Sequence, residues 1–128
     1  MTVTSRREAR RTALTLLYQW DVTGQPLGSL YEGDVDDYAR ETAEEVAAKA
    51  PELDRRITDA SADWTADRLG VIERNVLRIA IHELDGGEVP NEVAIDEAVT
   101  LAKRFGSGVE AARLVNGILG RIAAEAAA

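Results

Sequence analysis

Apolar side chains recur every three or four residues along almost the entire chain, and no stretch sustains an apolar–polar alternation of period two. A helix turns about 100° per residue, so the first spacing gathers apolar groups on one face, whereas a half-buried strand needs the second. No hairpin-forming turn flanked by β-branched runs interrupts the pattern. The chain is therefore confined to helix packed on helix, an all-α fold.

Helix boundaries can be read from the punctuation. Ser5 and Glu8 have capping-box spacing and open a helix over about 5–22, whose apolar face is Ala9, Ala13, Leu16, Leu17 and Trp20; Gly24 and Pro26 end it. A loop over 25–33 leads to a second helix from about Asp34, with Asp36 and Asp37 where the helix dipole favours negative charge. Val35, Tyr38, Ala39, Thr42, Val46 and Ala47 are its apolar positions, and Pro51 is expected to stop it. Leu53, Ile57 and Ala60 mark a short third helix, followed by a helical turn over 64–69. A long helix over 71–84 points Ile72, Val76, Ile79, Ala80 and Leu84 inward and ends at Gly86-Gly87. Beyond Pro90, Asn91 is placed to cap a helix carrying Val93, Ala94, Ala98, Leu101, Ala102 and Phe105. After Gly106-Ser107-Gly108 a last helix covers 109–124, and the alanine-rich tail 123–128 is expected to fray. About seven helices with short connections make a bundle, read as a single domain over 1–128 without internal repeats.

A chain of 128 residues buries roughly two-thirds of its unfolded surface on folding and needs no covalent or metal staple. It contains no cysteine, which removes disulfides, cysteine-ligated metals and thiol catalysis. Its lone histidine, His82, removes any site needing two imidazoles. No apolar run approaches the ~20 residues of a membrane span, and the early arginines lead into no signal-like apolar segment. A soluble, cytoplasmic protein is expected.

The net charge of −8 conceals an asymmetry. Residues 1–20 hold Arg6, Arg7, Arg10 and Arg11 against Glu8, a balance of +3, while the remainder carries −11. Such a chain repels nucleic acid over most of its surface, so any polyanion must bind at the N-terminal tip. Positions 7, 11, 14 and 18 continue the arginine side down the first helix and bring Tyr18 onto it. Guanidinium groups pair with phosphates, and an exposed aromatic gives an unstacked base a surface to lie on. The footprint is small and suits single-stranded RNA better than duplex DNA. The alternative is an ordinary solvated face with Tyr18 half-buried at a helix seam.

Other candidates are weaker. The acidic run Glu32, Asp34, Asp36 and Asp37 lacks the glycine and terminal glutamate of a calcium loop and reads as helix N-terminal charge. His82 adjoins Glu83, but neighbours on a helix diverge and no nucleophile stands nearby, so a rim histidine is expected. There is no glycine-rich phosphate loop and no metalloprotease helix motif. No enzyme, metal or cofactor is expected. Gly117 after Asn116 falls inside a helix and suggests close helix packing, with the Asn116 amide holding a buried backbone group.

Four ordered stretches, RREARRTALTLLYQW (6–20), DWTADRLGVIERNVLRIAIHEL (63–84), VPNEVAIDEAVTLAKRFG (89–106) and VNGILGRI (115–122), resemble the NusB transcription antitermination family, and the resemblance covers nearly the whole chain except the variable 21–62 region. The resemblance implies two small helical bundles packed together and binding to the boxA element of ribosomal RNA leader transcripts. It further implies a complex with NusE, a ribosomal protein, that joins other Nus factors on RNA polymerase. On the family pattern Arg6, Arg7, Arg10 and Arg11 contact RNA, Tyr18 lies near both RNA and NusE, and Glu83 faces NusE. The sequence departs from the pattern at His82 and Asn91, where aromatics are usual, over 107–114, which lacks an acidic–serine element, and at Leu114, which replaces a phenylalanine. Two other readings remain: a module that binds NusE without RNA preference, and a module serving RNA methylation, for which a methyl-transfer assay on this chain should be blank. Sequence leaves monomer and homodimer both open.

Overall fold

The computed structural model describes residues 5–127, and among these every regular element is helical. Five α-helices follow one another: α1 (Arg6–Thr23), α2 (Asp37–Ala60), α3 (Val71–Gly86), α4 (Asn91–Phe105) and α5 (Val109–Ala127). Short 3-10 turns at Leu27–Leu30 and Ala66–Arg68 lie in the connections. Of the alanine-rich tail, residue 128 lies outside the described residues.

The count is five α-helices rather than about seven, and Pro51 is the main reason. It sits inside α2 instead of ending it. Val46, Ala50, Leu53, Ile57 and Ala60 are buried at alternating spacings of four and three, so one apolar stripe runs unbroken past the proline. Pro51 itself is exposed and lies off that stripe. The turn expected over 64–69 is the 3-10 turn at Ala66–Arg68, too short to count as a helix.

Caps set the ends. Ser5 Oγ accepts from the Glu8 amide at 3.1 Å, and the Asp36 carboxylate accepts from the Ala39 amide at 3.1 Å, which accounts for Asp36 in the acidic run before α2. Gly24 and Gly87 close α1 and α3 in left-handed conformation, with φ of 71° and 73°. Asn91 does not cap α4. Pro90 occupies that position and its carbonyl accepts from the Val93 and Ala94 amides, while Asn91 is the first helical residue and exposed.

The core is organised around α3, which packs against all four other helices. Asn75 through Ile81 are buried without a break, so this helix has no solvent face over two turns. α1 and α2 pack on each other and on α3, as do α4 and α5. Leu17, Ile57, Leu77, Ile81 and Leu119, fully buried from four different helices, join both groups in one hydrophobic core.

Candidate nucleic-acid interface

The arginines of α1 divide according to their position around the helix. Arg6 and Arg7 open the first turn and are exposed. The Arg6 guanidinium lies over the Tyr38 ring of α2, 3.9 Å from its centroid, a stacking that fixes its direction. Arg7 reaches across to α4, where its Nη2 is 2.9 Å from Glu97 Oε1. The Arg7 hydrogen bond, working against partial burial, holds the Glu97 carboxyl below its ordinary range. The Arg7 side chain is still 66% exposed, so a phosphate can approach it.

Arg10 and Glu83 differ from the sequence expectation. Arg10 is only 5% exposed and donates from Nε to both Glu83 carboxylate oxygens, at 2.9 and 3.0 Å, with its Nη2 also 2.9 Å from Oε2. The Tyr38 hydroxyl donates to the same Oε2 at 2.6 Å. Burial, joined by the Glu83 hydrogen bond and charge, pushes the Tyr38 phenol above its ordinary value. For Arg10 burial opposes the charge, but the hydrogen bond and charge of Glu83 outweigh it and raise its pKa. Arg10 thus spends its guanidinium inside the fold, and Glu83 is a buried anion rather than an exposed contact residue. The cause is a wider buried arc on α1 than Ala9, Ala13, Leu16, Leu17 and Trp20 define. Leu14, on the arginine side, is 4% exposed, and Arg10 falls between Leu14 and Leu17 around the helix.

Arg11 and Tyr18 stay on the outer flank of α1. Arg11 is half-buried and Tyr18 is 41% exposed. With Leu14, Thr15, Ile72 and Phe105 they line a groove of about 150 Å³ where α1 meets the ends of α3 and α4. The sequence makes Phe105 the last of the apolar positions carried by α4, yet it is 43% exposed. The buried face of α4 is Ala94, Ala98, Leu101 and Ala102, and Phe105, the final helical residue, is not part of it. An aromatic directly after Lys103 and Arg104 is the sequence signal that could have marked it. Glu97 was missed as well, because a partner for Arg7 on α4 is set only by tertiary packing.

The remaining candidates resolve as structure. His82 is partly buried at the rim of α3, its Nε2 3.1 Å from Glu45 Oε2. It shares an acidic cavity of about 230 Å³ with Glu41, Glu45 and Glu88, whose lining also includes Tyr38 and Glu83. Asn116 and Gly117 are both exposed, and a Cβ at Gly117 would meet nothing within 4 Å, so neither close helix packing nor a buried amide explains them. No group of three or more histidine or acidic side chains suited to a metal ion occurs among the described residues, and no helix there is long and apolar enough to cross a membrane.

Comparison with known proteins adds a family to this geometry. The NusB family model matches residues 7–124. A transcription antitermination protein NusB from Rubrobacter xylanophilus is 42% identical over 122 residues, covering 90% of this chain and 87% of the relative. The structure of T. maritima NusB superposes with a TM-score of 0.82 at 34% identity, covering 97% of this chain and 94% of that one. A crystal structure of antitermination factors NusB and NusE in complex with dsRNA contains a chain that superposes with a TM-score of 0.81 at 28% identity, covering 94% and 96%.

Proposed function

This chain belongs to the NusB family, and we propose that it is a transcription antitermination factor that binds boxA-type RNA of ribosomal RNA leader transcripts together with NusE. Through that complex it joins the other Nus factors on RNA polymerase. The observation that carries the reading is the concentration of positive charge at one tip of an acidic molecule: exposed Arg6 and Arg7, then Arg11 and Tyr18 along the same helix.

No bond is made or broken in this function. Arg6, Arg7 and Arg11 hold phosphates, Tyr18 offers a surface to an unstacked base, and base contacts choose the sequence. Arg10 and Glu83 serve indirectly, since their buried pair holds Tyr38, and Tyr38 carries Arg6 on its ring. NusE is a basic-partner type suited to the acidic remainder of the chain, and the carboxylates of Glu41, Glu45 and Glu88 around the cavity above Glu83 offer it a complementary surface. Two modest surfaces in one complex bind RNA more tightly than either alone. The helices form two groups that share α3, in keeping with a pair of small bundles acting as one cytoplasmic domain.

One observation favours a second reading, in which the chain binds NusE without RNA preference: Arg10 is spent internally and Arg7 is already paired with Glu97. Fluorescence anisotropy of a boxA RNA against a scrambled RNA, with and without NusE, separates the two. Preference for boxA that sharpens with NusE supports antitermination. Equal binding of both RNAs, with NusE still captured, supports the second reading.

A further inference from the structure

The two exposed aromatics of the basic flank come from different helices and face one groove. Tyr18 lies on α1 and Phe105 ends α4; Leu14 and Ile72 complete the apolar lining, and Arg11 and Thr15 supply its polar edge. The Arg104 guanidinium lies 5.2 Å from the Phe105 ring centroid, so a second cation borders the groove. A volume of about 150 Å³ suits one planar base. We propose that this groove is a base slot, in which Phe105 and Tyr18 receive a single unpaired nucleobase of the RNA while Arg11 and Arg104 meet the flanking phosphates. The inference rests on the RNA-binding reading and deepens it by assigning Phe105, which nothing in the helix pattern of α4 marks as functional.

Three features argue for a base rather than another occupant. The groove continues the Arg7–Arg11–Tyr18 line of α1, so a strand held at the helix tip passes directly over it. Rings combined with guanidinium groups recognise single strands because every base has a π-face and every nucleotide a phosphate. The backbone that carries Phe105 is also anchored immediately after it. The Gly106 amide donates to the Ala102 carbonyl at 2.9 Å, and the buried Glu73 carboxylate accepts from the Ser107 amide and hydroxyl at 2.9 and 3.1 Å. A platform anchored in this way loses little freedom when a base stacks on it.

The test uses the full chain in complex with NusE and a single-stranded boxA RNA, read by anisotropy, with Phe105→Ala, Phe105→Leu and Phe105→Tyr compared with Arg7→Ala. Because Phe105 is 43% exposed, circular dichroism and melting should show all three variants folded as the parent. The expected result is an affinity loss of roughly tenfold for Phe105→Ala and Phe105→Leu, little loss for Phe105→Tyr, and an unchanged salt slope. An RNA carrying one abasic nucleotide at the stacked position should bind parent and Phe105→Ala alike. Parent binding that Arg7→Ala weakens while Phe105→Ala leaves it intact overturns the slot and keeps the RNA reading. No parent binding to any RNA overturns both. A Phe105→Ala loss confined to NusE capture without RNA assigns the groove to protein contact and overturns the slot, and so does preference for duplex over single-stranded RNA that Phe105→Ala does not alter.

Discussion

Truncating Arg10 to alanine would leave the Glu83 carboxylate buried with only the Tyr38 hydroxyl to answer it. Breaking one side of a buried ion pair costs about 3–5 kcal/mol, because the remaining charge keeps its desolvation penalty and loses its partner. Arg10→Ala should therefore lower unfolding free energy by about that amount in chemical denaturation, while Arg7→Ala leaves the denaturation midpoint unchanged. Similar midpoints for the two would sink the distinction between a structural and a binding arginine. The Arg7–Glu97 pair carries a different expectation. Glu97 competes with any phosphate for the same guanidinium, so Glu97→Gln should raise RNA affinity by about 2- to 5-fold. It should also steepen the salt dependence, by up to ~0.7 in log–log slope if one further phosphate contact forms. Titrations in a salt series would show both, and an affinity that falls or stays level removes Glu97 as a brake on binding. At this scale the sequence displayed which residues bear charge but not where each charge is used. Arg10 and Arg7 look alike in a list of arginines; the burial of Leu14 separates them.

At the scale of the element, α5 contains a glycine with no structural demand behind it. Gly117 lies mid-helix, faces solvent, and has open space where a Cβ would stand. Glycine in an exposed helix interior costs roughly 0.5–1 kcal/mol relative to alanine through backbone entropy, so Gly117→Ala should stabilise the protein by about that much in thermal or urea unfolding. A destabilised variant would mean that the site is closed by contacts absent from the folded chain alone. Helix positions and faces were largely legible in the sequence, because caps such as Ser5 and Asp36 and terminators such as Gly24 and Gly87 act locally. At Pro51 the local cost of a proline inside a helix is outweighed by an unbroken buried stripe, Val46 to Ala60, which local signals do not weigh. Phe105 shows the converse: its spacing is that of an inward residue, but tertiary packing leaves it half-exposed in the groove with Leu14, Tyr18 and Ile72. The arginine and tyrosine line of the site was visible from periodicity on one helix. Its second half was not, since Tyr38, Glu97 and Phe105 reach α1 only through tertiary packing.

Across the whole molecule, α1 and α3 are tied by a single partly buried carboxylate oxygen, and Arg78 extends the tie to Asp54 of α2. Asp21 Oδ2 accepts from Arg74 Nη2 at 2.9 Å, Asn75 Nδ2 at 3.0 Å and Arg78 Nη1 at 3.0 Å. Arg78 also donates to both Asp54 oxygens at 2.8 and 2.7 Å, and Arg74 reaches the Ala66 and Leu69 carbonyls that shape the connection into α3. Burial raises the affinity of the Asp21 carboxyl for a proton, but the Arg74 hydrogen bond, the Arg78 charge and the Asn75 hydrogen bond together outweigh it and bring the carboxyl below its ordinary 3.8. Below that ordinary value the unfolded chain takes up a proton that folded Asp21 still refuses, so falling pH favours unfolding. The stabilisation is complete above about pH 5 and is lost progressively as pH falls through the unfolded and then the lowered native value. The melting temperature of the parent should hold from neutral pH to about 5 and then fall steeply toward about pH 3. Asp21→Asn should melt lower at neutral pH, because Arg74 and Arg78 keep their partly desolvated charges without this anion, and should show a shallower acid limb. The limb will not vanish, since the lowered Glu97 carboxyl contributes in the same direction. Parallel acid limbs for parent and variant would transfer the acid sensitivity to other carboxylates and leave the three-helix tie without a thermodynamic signature.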